Sequence, residues 1–195
     1  MMKKLNVLIM LALMVLSSGF SGKGIWIIDA QSRLTIQGST NLNDFICKVD
    51  YCTGTDTLQY EENSARKEMC FTRSRMTVPV RSFDCGAKPI SKDFWKTLKA
   101  ETYPEMNIDF ISLQNVYFKN KSHINGVVDI TLAGVTARYT IKYFVTVKDN
   151  GTVLLQGTHA VNFSDFQLEA PEKLNGLIKV KEALKVDFNL LLKEV

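Results

Sequence analysis

Hydrophobic and polar residues alternate with a period of two from Gly24 onward, and turn residues interrupt the alternation at intervals. Because successive side chains of a strand point to opposite faces, this pattern predicts antiparallel β-structure with one buried face. Each predicted strand is bounded by turn-forming or polar residues. The eight predicted strands are 25–37, 42–52, 67–80, 106–118, 122–132, 135–148, 152–163 and 177–193.

Local breaks in the alternation predict irregular strands. A kink near Ala30 divides the first strand, and the change of parity between Phe71 and Met76 indicates a β-bulge around residues 73–75. Pro79 favours an edge position or the end of regular pairing, since proline donates no backbone hydrogen bond. Asp149-Asn150-Gly151 is a strong hairpin pattern, and Ala133-Gly134 is a weaker one.

Two segments depart from the strand pattern. Residues 53–66 are rich in Thr, Glu, Asn and Ser, which predicts a long exposed loop. From Ser91 to Glu101, apolar residues recur at helical spacing, which predicts a short helix between the third and fourth strands, capped by Ser91 and stopped by Tyr103-Pro104. The chain contains no linker rich in Pro, Gly or Ser, so one domain is expected.

Eight antiparallel strands joined by short turns predict an all-β fold, an up-and-down barrel of the lipocalin-like kind with one short helix. Closure of the barrel removes the exposed strand edges that an open sheet would have. A flat sandwich is the alternative. An eight-stranded barrel has an interior that is either filled by side chains or large enough for one small ligand.

The N-terminus resembles a secretory signal peptide. Lys3 and Lys4 precede an apolar run over 5–16, and small residues follow up to Ser21. The apolar run is shorter than the ~20 residues that a membrane-spanning helix needs. We therefore expect residues 1–21 to be cleaved and 22–195 to form a soluble periplasmic or secreted domain. The first cysteine is Cys47, so a lipoprotein anchor is not expected.

An exported chain meets oxidising conditions, so the four cysteines predict two disulfides with three possible pairings. Cys47 and Cys52 lie about 16 Å apart along one predicted strand, beyond the ~7 Å limit between the Cα atoms of a disulfide, so they do not pair with each other. Cys52 and Cys70 both lie opposite the apolar face, whereas Cys47 and Cys85 share its parity. This parity favours the pairs Cys52–Cys70 and Cys47–Cys85.

Composition gives little support for catalysis, a metal or nucleic acid. There are 24 basic and 20 acidic residues, a net charge of +4 that falls to +2 without Lys3 and Lys4, which is too weak for a nucleic-acid site. The sequence lacks G-x-S-x-G and H-E-x-x-H motifs, and its cysteine spacing does not suit zinc. We predict that the protein is not an enzyme and has no cofactor and no metal. A cluster of His123, His159 and Asp165 around a pocket would instead indicate an enzyme.

The basic residues of the third strand allow two interpretations. Arg73 and Arg75, with Arg66 and Lys67 nearby, either form a solvated strand face or contact an anionic head group at a barrel mouth. The solvated face is the simpler interpretation, because exposed strand faces are commonly charged.

Two predicted strands have long apolar faces that would point into the barrel. The alternation gives either a filled core or a tunnel for a long apolar ligand, because both use the same residue types. The two faces are Val135, Ala137, Tyr139, Ile141, Tyr143, Val145 and Val147, and Leu184, Val186, Phe188, Leu190 and Leu192.

Four sequence blocks, in order, resemble the YceI-like family, the lipocalin-like polyisoprenoid-binding proteins of the bacterial periplasm. They are the opening strand 26–32 (WIIDAQS), the passage from 78–80 (VPV) to 98–104 (LKAETYP), the hairpin 124–136 (INGVVDITLAGVT) and 162–166 (NFSDF). Residues 38–41 with Cys47, and 83–86 with Cys85, resemble a cysteine-bearing branch of the family, which supports the Cys47–Cys85 pair. Two features depart from the family: the Arg-Asp-x-His-Leu stretch before the helix is absent, and Gln167 replaces a glycine.

The resemblance implies a lipocalin-like barrel that holds a polyprenyl chain or a quinone tail and performs no chemistry on it. The expected partner is a small apolar lipid; no nucleic acid or membrane-spanning segment is expected. The alternative is an exported structural or interaction module with a filled barrel, which would use surfaces such as the loop 53–66. The residues expected to line the tunnel are Phe45, Phe110, Ile130, Tyr139, Ile141, Tyr143, Val145, Phe188 and Leu190.

Overall fold

The computed structural model describes residues 22–50, 56–114 and 121–195. Along these residues lie thirteen strands, one α-helix and two short 3-10 turns at Val80–Ser82 and Ser164–Phe166. The strands and the helix are β1 Lys23–Ile28, β2 Arg33–Ser39, β3 Asp44–Asp50, β4 Thr57–Asn63, β5 Glu68–Arg73, β6 Arg75–Pro79, α1 Lys88–Thr97, β7 Glu105–Gln114, β8 Ser122–Leu132, β9 Val135–Val147, β10 Val153–Asn162, β11 Glu172–Lys173, β12 Ile178–Lys179 and β13 Ala183–Glu194.

Eight antiparallel strands form a closed ring in the order β1-β4-β5-β7-β8-β9-β10-β13, and a β1–β13 pairing closes it. The C-terminal half of β13 pairs with β1, and its N-terminal half pairs with β2, which carries β3 as an additional strand outside the ring. The predicted eight-stranded antiparallel barrel with one short helix is therefore confirmed, although the strands that form the ring differ from the predicted set.

The predicted exposed loop over 53–66 is wrong for half of its length. Residues Thr57–Asn63 form β4, which pairs with β1 on one side and β5 on the other. Leu58 and Tyr60 are 0% and 7% exposed and point into the barrel. Only these two apolar residues alternate with polar ones, so the period-two pattern is too weak to recognise in the sequence.

The predicted interruptions in the first and third strands are confirmed. A turn at Ala30–Gln31 separates β1 from β2, and the buried Ser32 Oγ accepts a hydrogen bond from the Leu191 backbone N–H at 3.0 Å. Ser74 separates β5 from β6, and both of these strands pair with β7. Each break lets one predicted strand follow the curvature of the barrel.

The helix begins and ends earlier than predicted. Ala87 is its N-cap and Pro89 lies in its first turn, whereas Ser91 is buried inside the helix and its Oγ accepts a hydrogen bond from the Cys85 backbone N–H at 3.0 Å. Lys99 has a left-handed φ of 55°, and the Ala100 N–H bonds back to the Trp95 carbonyl at 3.0 Å. This Schellman-type bond ends the helix before Tyr103-Pro104 is reached.

The last predicted strand is also shorter than expected. Strand β13 covers Ala183–Glu194, whereas Ile178–Lys179 form the two-residue strand β12, which pairs with β11 in a separate small hairpin. Glycine at position 176 has a φ of 85°, which reverses the chain inside that hairpin. The predicted hairpin at Ala133-Gly134 is confirmed, since both residues have positive φ, as a tight two-residue turn requires.

One of the two predicted disulfides is confirmed. Cys47 on β3 is bonded to Cys85, and backbone hydrogen bonds of 2.8 and 2.9 Å join Lys48 and Asp84 beside it. The predicted Cys52–Cys70 disulfide is not found: Cys70 has a free thiol on the outer face of β5, and Cys52 lies outside the described residues. The predicted strand residues 51–52 and 115–118 lie outside them as well.

Candidate functional site

A small apolar cavity lies inside the barrel at the end covered by α1. Its volume is about 50 Å³, and only apolar atoms are exposed in it. The cavity is bounded by strands β2, β7, β8, β10 and β13, by α1, and by the chain that follows β10. Its lining residues are Leu34, Ile36, Phe94, Leu98, Met106, Ile108, Ile130, Leu132, Val161, Asn162, Phe163, Phe166, Leu168, Leu184 and Val186.

Helix α1 forms one cover of this cavity. Phe94 and Leu98, one turn apart, point inward and are buried, and Phe94 packs edge-on against Phe83 with ring centroids 5.6 Å apart. The Trp95 indole N–H donates a hydrogen bond of 2.8 Å to the Phe83 carbonyl. The helix is thus attached through side chains and its flanking segments, and it does not take part in the hydrogen bonding of the ring.

The last residue of β10 and the chain that follows it, residues 162–168, form a second cover and fill a gap in the barrel wall. Strand β10 pairs with β13 along its whole length, but it pairs with β9 only over Val153–Gly157. Its second half, Thr158–Asn162, therefore has no strand partner among the described residues on the β9 side. In the gap, the Tyr139 hydroxyl of β9 donates a hydrogen bond of 2.9 Å to Asp165 Oδ2, which also accepts one from the Asn162 backbone N–H at 2.9 Å. Asp165 therefore joins the two strands where their direct pairing has ended.

The charge state of this junction follows from its contacts. Hydrogen bonds from the Asn162 backbone N–H and the Tyr139 hydroxyl hold the pKa of the Asp165 carboxyl below its ordinary value. Burial, together with the hydrogen bond to Asp165, raises the pKa of the Tyr139 hydroxyl well above its ordinary value. At neutral pH the junction consequently pairs a carboxylate with a protonated phenol.

The nine residues predicted to line a tunnel occupy three different places. Ile130 lines the cavity, and Tyr139 packs beside it, with its ring 6.3 Å from that of Phe166. Phe45 is half-buried on β3, outside the eight-stranded ring. The remaining six are buried in the barrel interior away from the cavity lining: Phe110, Ile141, Tyr143, Val145, Phe188 and Leu190. Contact of any of the nine with a ligand stays a prediction.

The interior at the level of Tyr143 is tightly packed. The Tyr143 side chain is 1% exposed, and its ring lies against Gly126 of β8 and Gly157 of β10. A Cβ atom added to either glycine would come within 2.6 Å or 2.8 Å of the ring. Burial raises the pKa of the Tyr143 hydroxyl above its ordinary value. Glycine on both neighbouring strands thus makes room for one large ring.

Most of the cavity lining was missed because the sequence pattern identifies buried faces but not depth along the barrel. Leu184 and Val186 belong to the recognised apolar face of the last strand, and Phe163 ends the predicted strand 152–163, whereas Phe166 and Leu168 lie in an irregular segment without periodicity. Phe94 and Leu98 were recognised only as the apolar side of a helix. The Asn-Phe-Ser-Asp-Phe block at 162–166 was the one indication that this segment matters.

The three groups named for a catalytic cluster do not come together. His123 is exposed on the outer face of β8 and packs against Phe144, with ring centroids 5.2 Å apart. His159 packs against Tyr139 on the other face of the sheet, close to Asp165. Within the described ranges, no three His, Cys, Asp or Glu side chains are grouped as a metal site would require.

The basic residues of the third predicted strand form a solvated face in part. Arg75 makes a two-pronged ion pair with Asp109 of β7, at 2.9 and 3.0 Å, on the outside of the barrel.

In the described part of the chain, no helix is long and apolar enough to cross a bilayer.

Comparison with known proteins identifies structural neighbours only. No protein-family model and no curated protein matches the sequence. A polyisoprenoid binding domain from Saccharophagus degradans, implicated in plant cell wall breakdown, superposes with a TM-score of 0.64 at 15% identity, covering 86% of this chain and 97% of that chain. Burkholderia cenocepacia BcnA superposes with a TM-score of 0.57 at 19% identity, covering 84% and 98%. A Campylobacter jejuni YCEI protein gives a TM-score of 0.49 at 14% identity, covering 69% and 78%.

Proposed function

Because this chain has the YceI-like barrel fold, we propose that it binds the hydrocarbon chain of an isoprenoid-type lipid, a polyprenyl chain or a quinone tail, inside the barrel. The protein would act in the periplasm as a binding or transport protein and would leave its ligand chemically unchanged. The observation that carries the proposal is the apolar cavity beneath α1 and residues 162–168.

The chemistry of the cavity supports an apolar ligand. A polar group placed there would lose its hydrogen bonds to water without gaining new ones, which is unfavourable, whereas burial of hydrocarbon is favourable by about 25 cal/mol per Å². Only apolar atoms face the cavity, so the lining offers no acid, base or nucleophile to a bound chain.

The size of the cavity defines what binding must involve. Pockets for small molecules typically measure about 300–1,000 Å³, well above the 50 Å³ found here. A long chain would therefore have to displace Phe94 and Leu98 of α1, or Phe166 of the second cover. Neither α1 nor residues 163–168 belong to the hydrogen-bonded ring, so either can move outward without breaking strand pairing.

The packed interior also favours a second candidate, an exported structural or interaction module with a filled barrel. Tyr143 and its neighbours already fill much of the interior, and the cavity is small. Such a module could not use the whole of 53–66 as a contact loop, because residues 57–63 are strand β4 of the ring.

Direct chemical analysis separates the two candidates. The protein, purified from its own periplasm, is examined by native mass spectrometry, and organic extracts are analysed for lipid. The protein is then titrated with geranylgeraniol and with a quinone that has a C10 tail. A stoichiometric isoprenoid or saturable binding supports the proposal. An empty protein that refuses both probes overturns it in favour of the filled-barrel module.

A pair of variants locates the binding. Val186→Phe places a ring in the cavity, whereas Lys185→Phe places the same ring on the outer face of the same strand. We expect loss of probe binding in Val186→Phe and normal binding in Lys185→Phe, with thermal unfolding used to confirm that both variants are folded. Equal probe binding by both variants would place the ligand elsewhere.

A further inference from the structure

A strongly basic face covers one side of α1, and the proposed lipid binding does not use it. This basic face consists of Arg81, Lys88, Lys92, Lys96 and Lys99, all of which are exposed. At 100° per residue, Lys88, Lys92 and Lys96 fall within one narrow stripe of the helix, and Lys99 follows at its end. Around Trp95, the face borders a groove of about 490 Å³.

The charges of this face are not neutralised within the protein. In the described residues, none of its five cations forms an ion pair with a carboxylate. The two acidic residues of the same segment are engaged elsewhere: Asp93 pairs with Lys173 at 2.7 Å, and Asp84 accepts a hydrogen bond from the Gly86 backbone N–H at 2.9 Å. Glu101 is the only carboxylate among the described residues that border the groove.

The net positive charge of the segment that carries the basic face exceeds that of the whole domain. Residues 81–100 contain five cations and two carboxylates, a net charge of +3, whereas residues 22–195 have a net charge of +2. The rest of the domain is therefore slightly negative. A domain with this asymmetry approaches a negatively charged surface with α1 foremost.

We propose that the basic face docks the protein on a bilayer that contains anionic phospholipid. Four of its five cations are lysines, whose mobile point charges suit a diffuse negative surface better than one fixed anion. Each Lys or Arg near such a surface strengthens partitioning by about fivefold. Trp95 is half-buried between the basic face and the barrel, a position that suits the amphipathic indole ring at a membrane interface.

Docking in this orientation faces the covered cavity toward the membrane. The opposite side of the same helix supplies Phe94 and Leu98 to the cavity lining, so α1 would lie between the bilayer and the barrel interior. Docking itself needs only charge, so it stands whether or not the barrel binds an isoprenoid.

Vesicle flotation tests the proposal with defined lipids. The protein is mixed with vesicles of phosphatidylcholine, with or without phosphatidylglycerol and free of isoprenoids and quinones. We expect binding to the anionic vesicles at low salt, little binding to phosphatidylcholine alone, and loss of binding at roughly 0.5 M salt, because salt screens exposed charges. Absence of binding to the anionic vesicles at low salt overturns the proposal.

Two triple variants of equal charge change localise the contact. Lys92→Gln/Lys96→Gln/Lys99→Gln removes three charges from the basic face and should weaken vesicle binding on the order of a hundredfold. Lys142→Gln/Lys148→Gln/Lys181→Gln removes three exposed charges elsewhere and should leave most of the binding. Glu101→Gln should strengthen it. An equal loss in the two triple variants would show attraction by net charge alone and refute a docking face.

Fluorescence and a competitor distinguish the membrane from other partners. Trp26 is buried, so a blue shift on vesicle addition is expected from Trp95 and should disappear in Trp95→Phe. Polyglutamate or inorganic phosphate that competes as strongly as phosphatidylglycerol vesicles would assign the face to acidic polypeptides or to free anions instead. The Val186→Phe variant should dock normally, so failure of lipid binding in the barrel and failure of docking give different results.

Discussion

The Tyr139 hydroxyl donates a hydrogen bond of 2.9 Å to Asp165 Oδ2 across the gap where β9 and β10 no longer pair. Asp165 lies in the turn whose Phe166 lines the cavity, so this contact holds one cover of the cavity against the barrel wall. Removal of the contact should loosen that cover before it affects the ring, which predicts local effects as well as a loss of stability.

Tyr139→Phe deletes the hydroxyl and keeps the ring. Because a typical intramolecular hydrogen bond contributes about 0.5–1.5 kcal/mol, we expect the free energy of unfolding to fall by roughly 1 kcal/mol. Urea denaturation measures the fall, and amide exchange should increase at residues 163–168. Tyr103→Phe, which removes a hydroxyl from an exposed ring elsewhere, serves as the control. Unchanged stability and unchanged amide exchange would show that the Tyr139–Asp165 hydrogen bond does not hold residues 163–168 in place.

The same carboxylate predicts a pH dependence in the acid range. The folded-state pKa of Asp165 is lowered, so its stabilising effect is fully present above the unfolded-state value of about 3.9 and is lost as pH falls toward the folded-state value. We expect the stability difference between the protein and Asp165→Asn to persist down to about pH 5 and to shrink below about pH 4. Denaturation at a series of pH values checks this; a difference that shrinks already at pH 6 would contradict it.

The Cys47–Cys85 disulfide should be a major source of stability. It closes a loop between residues 38 apart in sequence, for which chain-entropy arguments give about 2–4 kcal/mol. Cys47→Ala/Cys85→Ala should therefore lower the free energy of unfolding by that amount, and Cys70→Ala should change it little.

A peptide map under non-reducing conditions checks the pairing itself. Cys47 and Cys85 should appear linked, and Cys70 should be alkylated as a free thiol. Burial, together with the nearby Glu68 carboxylate, raises the pKa of the Cys70 thiol, so its alkylation should be slow at neutral pH. A peptide that links Cys70 to another cysteine would contradict the structure.

Gly157→Ala should disturb the packing around Tyr143. The added methyl group would come within 2.8 Å of a ring that is almost completely buried and has no room to withdraw. Overpacking of this kind costs about 1–3 kcal/mol, which thermal or urea unfolding measures. In Gly22→Ala the new methyl group meets only the mobile end of Glu62 at 3.1 Å, so that control should be nearly neutral.

Gln167→Gly should raise stability. Gln167 is exposed and has a φ of 54°, a left-handed conformation that costs a non-glycine residue about 1–2 kcal/mol. Glycine relieves this cost but adds about 0.5–1 kcal/mol of unfolded-state entropy, so a net gain of up to about 1 kcal/mol is expected. Glu169→Gly, at an exposed position outside the left-handed region, should instead lower stability. A fall in both variants would show that the Gln167 side chain makes a compensating contact.

The positive φ of Gln167 gives a physical reason for the glycine that the family resemblance expects at this position. The turn requires a left-handed residue after Asp-Phe, which is the conformation that glycine adopts most readily, and this chain keeps the turn without the glycine. The conformation is therefore set by the packing of Phe166 and Leu168, both buried, rather than by the residue at the turn itself.

Local pattern was enough to predict the barrel strands from Met106 to Phe163. From Ser122 to Asn162, strong period-two alternation and short turns coincide, so β8, β9 and β10 pair with their sequence neighbours and their register follows from the turns. The inward parity shared by Cys47 and Cys85 likewise predicted their disulfide, because both must lie on the same side of the barrel wall to bond.

Contacts between distant residues decided the rest. The polar segment Thr57–Asn63 becomes a strand only because β1 and β5 offer it two edges, and that is a property of the closed ring rather than of its own residues. The outward parity of Cys70, by contrast, was not enough to predict a disulfide, since its thiol is free. The alternation of the sequence determined which side chains point inward; only the covers formed by α1 and residues 162–168 decided which of them line a cavity, because depth along a barrel depends on strand stagger and on what closes its end.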